Sequence, residues 1–278
     1  MEITFKDFCR ACPAAMAPSP EIFESISDFI RSFTKKAIEI ITPDIFARLN
    51  NPTATEDDFD RLEELRSDAI GYICASSFYM AIPHLDLVLT STGFGVVSNQ
   101  NVAPASIDRV ERLRSALRKS FLKHFESMID NLRHFDAWQG SKIQKVVFIS
   151  LFWKSDHVKC LGLPLATRDD LTEWRPKLVN AEYKVGELIS RTQLLELISL
   201  ESRAAASPLQ SMAIDYCRAY VAAIVLELPA IELHRRTLLG FIEANPEEFA
   251  TYHDFQTYKA NHFEPYQNKK DDSCFFFG

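Results

Sequence analysis

The sequence lacks a Gly- or Ser-rich linker. Only eight of its 278 residues are glycine, and no segment repeats with a period of about 20 to 50 residues. Repeat solenoids and loosely strung domains are therefore not expected, and one helical domain over residues 1–260 followed by a tail over 261–278 is the economical organisation. Positive charge is not in excess either: 31 Lys and Arg face 38 Asp and Glu, for a formal net charge of −7. Neutralising a run of phosphates needs a concentrated excess of Lys and Arg, so recognition of a specific nucleic-acid sequence is not expected. Nor is there a long apolar run free of charge. The strongest, "MAIDYCRAYVAAIVLELPAI", contains Asp215, Arg218, Glu227 and Pro229, which suits a buried helix and argues against membrane insertion. The first residues, "MEITFKDFCRACPAAMA", have no continuous apolar core, so no signal peptide is expected and the chain should be made in the cytoplasm. The six cysteines are scattered except for Cys9 and Cys12, and reduced thiols are expected.

What is present is helical periodicity. Ser19-Pro20, Thr42-Pro43, Ser106, Thr167 with Asp169 and Asp170, and Ser207-Pro208 are helix starts, because a hydroxyl can accept an orphan backbone N–H and Pro is tolerated in the first turn. Apolar residues then recur on one face, as in Ile22, Ile26, Phe29, Phe33, Ala37 and Ile40, and in Val110, Leu113, Leu117, Phe121, Phe125, Met128 and Leu132. A helix from about residue 56 is expected to close at Pro83. Residues 141–150 are ambiguous by periodicity and are assigned as helix. The fold class that follows is mainly α: a multi-helix bundle of roughly eight helices with an extended C-terminal tail.

One stretch does not read as helix: "LDLVLTSTGFGVVSNQNVAPAS", residues 85–106. Its Gly93 and Gly95 lack the third glycine and the helix that a dinucleotide fingerprint needs, and no Gly-Lys-Ser/Thr follows. Leu85, Leu87 and Leu89 alternate, "TSTG" supplies turn chemistry, and Phe94, Val96 and Ser98 alternate back. An inserted β-hairpin over about residues 85–98 is therefore expected. Without charge between Val88 and Asn101 to guard its edges, the segment is a candidate partner interface through Leu87, Leu89, Phe94, Val96 and Val97. A hairpin covered within a monomer fits the same residues.

Catalytic constellations are not found. Cys9-x-x-Cys12 lacks a second pair, the seven histidines form no metal-binding spacing, and no serine sits in a nucleophile elbow. The carboxylates at 56, 57, 58 and 60 open a helix, where negative charge is favourable. The basic residues Arg109, Arg112, Arg118, Lys119 and Lys123 are interleaved with acidic ones, as on a solvated face. No catalytic residue, cofactor or metal is therefore expected. The chain closes on "NKKDDSCFFFG", and Phe275, Phe276 and Phe277 match neither helical nor strand spacing. They are the second candidate interface, docking on this chain or on a neighbour.

The segment at 85–106, the following "FDAWQGSKIQ", the stretch "LTEWRPKLVNAEYKVGELIS" and the terminal "NKKDDSCFFFG" resemble a family of poorly characterised virion proteins encoded by Bacteroidetes phages and prophages. The resemblance covers roughly residues 70–278 and implies a structural role. It suggests a head-to-tail connector or neck adaptor that forms a homo-oligomeric ring beneath the portal and contacts the portal and other neck or tail proteins. That would place the protein in the virion neck, after synthesis in the host bacterial cytoplasm. A helical scaffold protein without ring assembly, or an enzyme assembled from scattered residues such as His84, His157 and Glu173, are the other readings.

Overall fold

The computed structural model describes residues 1–12, 20–50, 58–85, 88–90, 93–95 and 106–262. The backbone divides into two compact units, Met1–Val147 and Phe148–Gly278. Both are helical, with thirteen α-helices among the described residues.

In the first unit, α1 (Phe5–Ala11), α2 (Pro20–Ser25), α3 (Ser27–Ile41) and α4 (Pro43–Arg48) precede two long helices, α5 (Phe59–Leu85) and α6 (Ile107–Leu132), and a short α7 (Lys142–Val147). The central element is α5, which packs against α6, α3 and α1. A helix covered on several sides must be apolar or small around most of its circumference. Accordingly Leu62, Leu65, Ala69, Ile73, Cys74, Ala75 and Phe78 are buried, together with the small Gly71, Ser76 and Ser77. A capping box of Thr4 with Asp7 starts α1 and sets Phe8 fully into this core. Trp138, also fully buried, donates its indole N–H to the Ile40 carbonyl at the end of α3, at 2.8 Å.

The mainly α expectation holds, but the inserted β-hairpin of residues 85–98 has to be corrected. Leu85 is helical, because α5 runs on past Pro83. A proline there removes a hydrogen bond only from the last turn, which does not suffice to stop the helix. Extended pairing among the described residues is limited to β1 (Val88–Thr90) and β2 (Gly93–Gly95), with Val88 opposite Gly95, Leu89 opposite Phe94 and Thr90 opposite Gly93. Strands usually run about 5–6 residues; three-residue strands mark a local ladder and not a β layer of the fold.

The second unit opens with irregular backbone and then forms α8 (Arg168–Ile189), α9 (Arg191–Ser202), α10 (Pro208–Val225), α11 (Ile231–Glu243), α12 (Ala250–Asp254) and α13 (Gln256–Asn261). The expected starts at Thr167 and Ser207 are capping boxes, closed by Asp170 and Gln210. Helix α10 packs on α8 and α11, and α13 returns to contact α8. The helix assigned to residues 141–150 ends early, at Val147. Phe148, Leu151, Phe152 and Trp153 are buried without helical structure, so the apolar run there reflects burial and not a helical face.

Candidate functional site

Of the expected interface residues, Leu89 and Phe94 stand opposite each other in the short ladder. Leu87, Val96, Val97, Phe275, Phe276 and Phe277 lie outside the described residues. What the structure adds is the helical base from which residues 86–106 depart. Helices α5 and α6 run antiparallel: Asp68 meets His124, Tyr72 meets Phe121 and Phe125, and Tyr79 meets Phe121. At the end nearest residues 86–106, Met80, Leu85 and Ile107 are 46%, 39% and 81% exposed. Apolar side chains are thus left uncovered on both sides of that segment. The N-terminal half of α6 has only Leu117 buried before its second half enters the core.

The middle of the same helix pair is held by a polar contact. The His124 Nδ1 lies 2.9 Å from an Asp68 carboxylate oxygen, and its imidazole presses against Gly71. A Cβ at that position would come within 2.6 Å of ring carbons of His124. Gly71 is therefore required for the close approach of α6, and Asp68, one turn earlier, receives the imidazole.

A dense polar cluster lies inside the second unit, and no sequence motif announces it. Glu182 on α8 is 4% exposed and accepts hydrogen bonds from the Ser150 hydroxyl and the Leu151 backbone N–H, both at 2.9 Å. Arg218 on α10 donates to the Leu151 carbonyl through Nε and Nη2, at 3.1 and 2.9 Å. Its guanidinium also pairs with Glu201 at 3.2 Å and Asp215 at 3.0 Å. Glu201 in turn accepts from the Trp153 indole N–H at 2.9 Å, and Arg168 donates to the Trp153 carbonyl at 2.6 Å. Burial pushes the Glu182 carboxyl up to about 7, against the lowering effect of Ser150, the Leu151 N–H, Arg218 and Arg175. These bonds satisfy the backbone of an irregular buried segment, which has no helix or sheet ladder to do so. The arrangement is a clamp on residues 150–153. The available signal for it is a charge at a core position: Glu182 falls between Leu178 and Val185 on the apolar face of α8, and Arg218 falls within the strongest apolar run.

The scattered enzyme candidates occupy separate units. His84 packs on Phe29 with ring centroids 5.4 Å apart in the first, whereas His157, edge-on to Trp153 at 5.2 Å, and Glu173 belong to the second. Cys12 is buried, and burial together with the neighbouring Cys9 pushes its thiol up to about 12. Burial raises Cys74 and Cys217 as well, so these thiols are protonated core groups. Among the described residues, no three His, Cys, Asp or Glu are grouped so as to hold a metal ion. No described helix is long and apolar enough to cross a membrane.

A model of a family of unknown function, DUF6712, matches residues 32–146. That stretch takes in most of the first unit, including α5, α6 and the Asp68–His124 contact, and stops one residue before the unit does. Residues 147–278, the C-terminal tip included, lie outside the match. No curated protein and no solved structure matches the chain.

Proposed function

We propose that the protein is a structural component of a phage virion, a head-to-tail connector or neck adaptor that assembles into a ring beneath the portal and has no catalytic role. The observation that carries this reading is the uncovered apolar end of the α5–α6 pair, where Met80, Leu85 and Ile107 flank residues 86–106. Exposed apolar side chains on two adjoining elements suit contact with another chain. In a cyclic assembly one such end meets a different face of the next subunit, so a single surface serves every contact of the ring. Further support comes from the likeness of residues 85–106 and of the C-terminal tip to phage virion proteins. Residues Leu87, Leu89, Phe94, Val96 and Val97 extend the same proposed interface from its helical base.

The test is direct imaging and mass measurement of the purified protein, alone and with portal. Closed rings are expected, and Leu85→Asp with Ile107→Glu should leave monomers of unchanged helical content. A wild-type protein that stays monomeric at high concentration and binds no portal would overturn the reading. A scaffold protein that acts without a ring would give the same monomer, with a soluble partner.

A further inference from the structure

A shallow cleft on the second unit is lined by Lys177, Asn180, Ala181 and Lys184 from α8 and by Ile224 and Val225 from α10. Its rim is basic, since Lys177 and Lys184 are exposed, and its floor is apolar and half-buried at Ile224 and Val225. We propose that this cleft is the docking site of the chain's own C-terminal segment, residues 271–277. Asp271 and Asp272 would pair with the lysines, and the phenylalanines that follow would cover the apolar floor.

The chemistry of the two partners matches in kind. Two adjacent carboxylates are followed, after Ser273 and Cys274, by three aromatic rings. Two ammonium groups, seven positions apart and so two turns along one helix face, stand beside a floor that lacks charge. Lys177 is further fixed by the Trp174 ring, with its Nζ 4.7 Å from the ring centroid. Glu173 and Glu187, exposed and about one turn beyond the lysines on either side, would repel an acidic segment that slid along α8. The lysine pair therefore sets the register.

The segment is also within reach. Helix α13, after which the described chain ends at His262, contacts α8. From Ala181 the farther end of α8 is about 20 Å away at 1.5 Å per residue. Asp271 is nine residues beyond His262, a tether that spans up to about 30 Å when extended. Any point at which α13 meets α8 thus leaves the cleft accessible to the same chain. Such a tether makes the docking intramolecular, which raises the effective concentration of the tail to the millimolar range. The proposal concerns the second unit alone and does not depend on ring formation.

Acylation rates of individual lysines, followed by mass spectrometry on the full chain, test it. Lys177 and Lys184 should react at least about twofold more slowly in the full chain than in a variant ending at Lys270, the ratio expected if the docked state is the majority population. Asp271→Asn with Asp272→Asn, and separately Phe275→Ser with Phe276→Ser and Phe277→Ser, should each restore fast reaction. Lysines elsewhere, such as Lys123, should be unaffected, which controls for folding. Equal rates with and without the tail would overturn the proposal. Protection that grows with protein concentration would overturn it too, because it would place the tail on a second copy. Protection that survives the triple serine variant would show that charge alone attracts the tail and that the apolar floor is not its seat.

Discussion

Glu182 and Arg218 hold the same residue from opposite ends: the carboxylate accepts the Leu151 N–H, and the guanidinium donates twice to the Leu151 carbonyl. Two helices of the second unit are thereby tied to one residue of an irregular segment. Arg218→Met keeps the aliphatic stem and removes the donors to Glu201 and the Leu151 carbonyl in a part-buried setting. Removing one member of a fully buried charged pair costs about 3–5 kcal/mol, and this part-buried one should cost about half of that. The expected outcome is a urea midpoint lowered accordingly, with loss of the near-UV signal of Trp153, which shares Glu201 with Arg218. A cost near zero would show that the clamp is dispensable.

The same site sets a pH dependence whose sign is fixed by its burial. The Glu182 carboxyl moves from 4.5 to about 7 on folding, so between those values the folded chain binds a proton that the unfolded chain has lost. Stability is then greatest below 4.5, falls as pH rises through about 7, and levels above it. The total change from this group is on the order of 3 kcal/mol. Glu182→Gln keeps an acceptor for Ser150 and Leu151 and cannot ionise, so its stability profile should be flatter over that window. Calorimetric melting of both proteins from acid to neutral pH checks this, and parallel profiles would contradict the assignment.

Much of the fold is legible in the sequence because its signals are local. Thr167 with Asp170 and Ser207 with Pro208 announce helices that begin where their hydrogen bonds require. Leu62, Leu65, Ala69 and Ile73 share one face by spacing and are buried. The failures occur where long-range packing decides. Alternation over residues 85–98 resembles a hairpin, yet Leu85 continues a helix that nothing local terminates. "KVVFISLFW" is apolar whether helical or irregular, and only Glu182 and Arg218, 31 and 67 residues from Leu151, supply the hydrogen bonds that let part of it leave the helix. Likewise the need for Gly71 arises from His124, on another helix.

That need can be measured against an internal control. In a helix interior Gly→Ala ordinarily stabilises by about 1 kcal/mol. Among the described residues, Gly240 on α11 has nothing within 4 Å of where an added methyl would stand, and Gly240→Ala should follow the rule. Gly71→Ala should reverse it, because the methyl meets the His124 ring, and overpacking costs about 1–3 kcal/mol. Combining it with His124→Ala should cost less than the sum of the two single changes, since the ring that clashes is gone. Additivity within error in thermal melts would show that the two residues do not meet.

Thr42 offers a change of the opposite sign. It joins α3 to α4 with φ 79° and ψ 147°, a region that a β-branched residue rarely adopts and that is nearly reserved for glycine. Its backbone is well used, with the N–H donating to Ile38 and the carbonyl accepting from Phe46, but its buried hydroxyl has no hydrogen-bond partner among the described residues. Thr42→Gly keeps both backbone bonds, removes the buried hydroxyl and relieves the strain. Against this stands the larger entropy of glycine in the unfolded chain, about 0.5–1 kcal/mol. Strain of about 1–3 kcal/mol together with an unsatisfied buried hydroxyl, about 1–3 kcal/mol, outweighs that cost. The variant should therefore melt higher than the parent, by a few degrees for a chain of this size. Thr42→Val, which keeps the branching and replaces only the hydroxyl, should recover part of the gain, and the difference between the two melts isolates the backbone strain. A glycine variant that melts lower than the parent would mean that Thr42 is not held in this conformation.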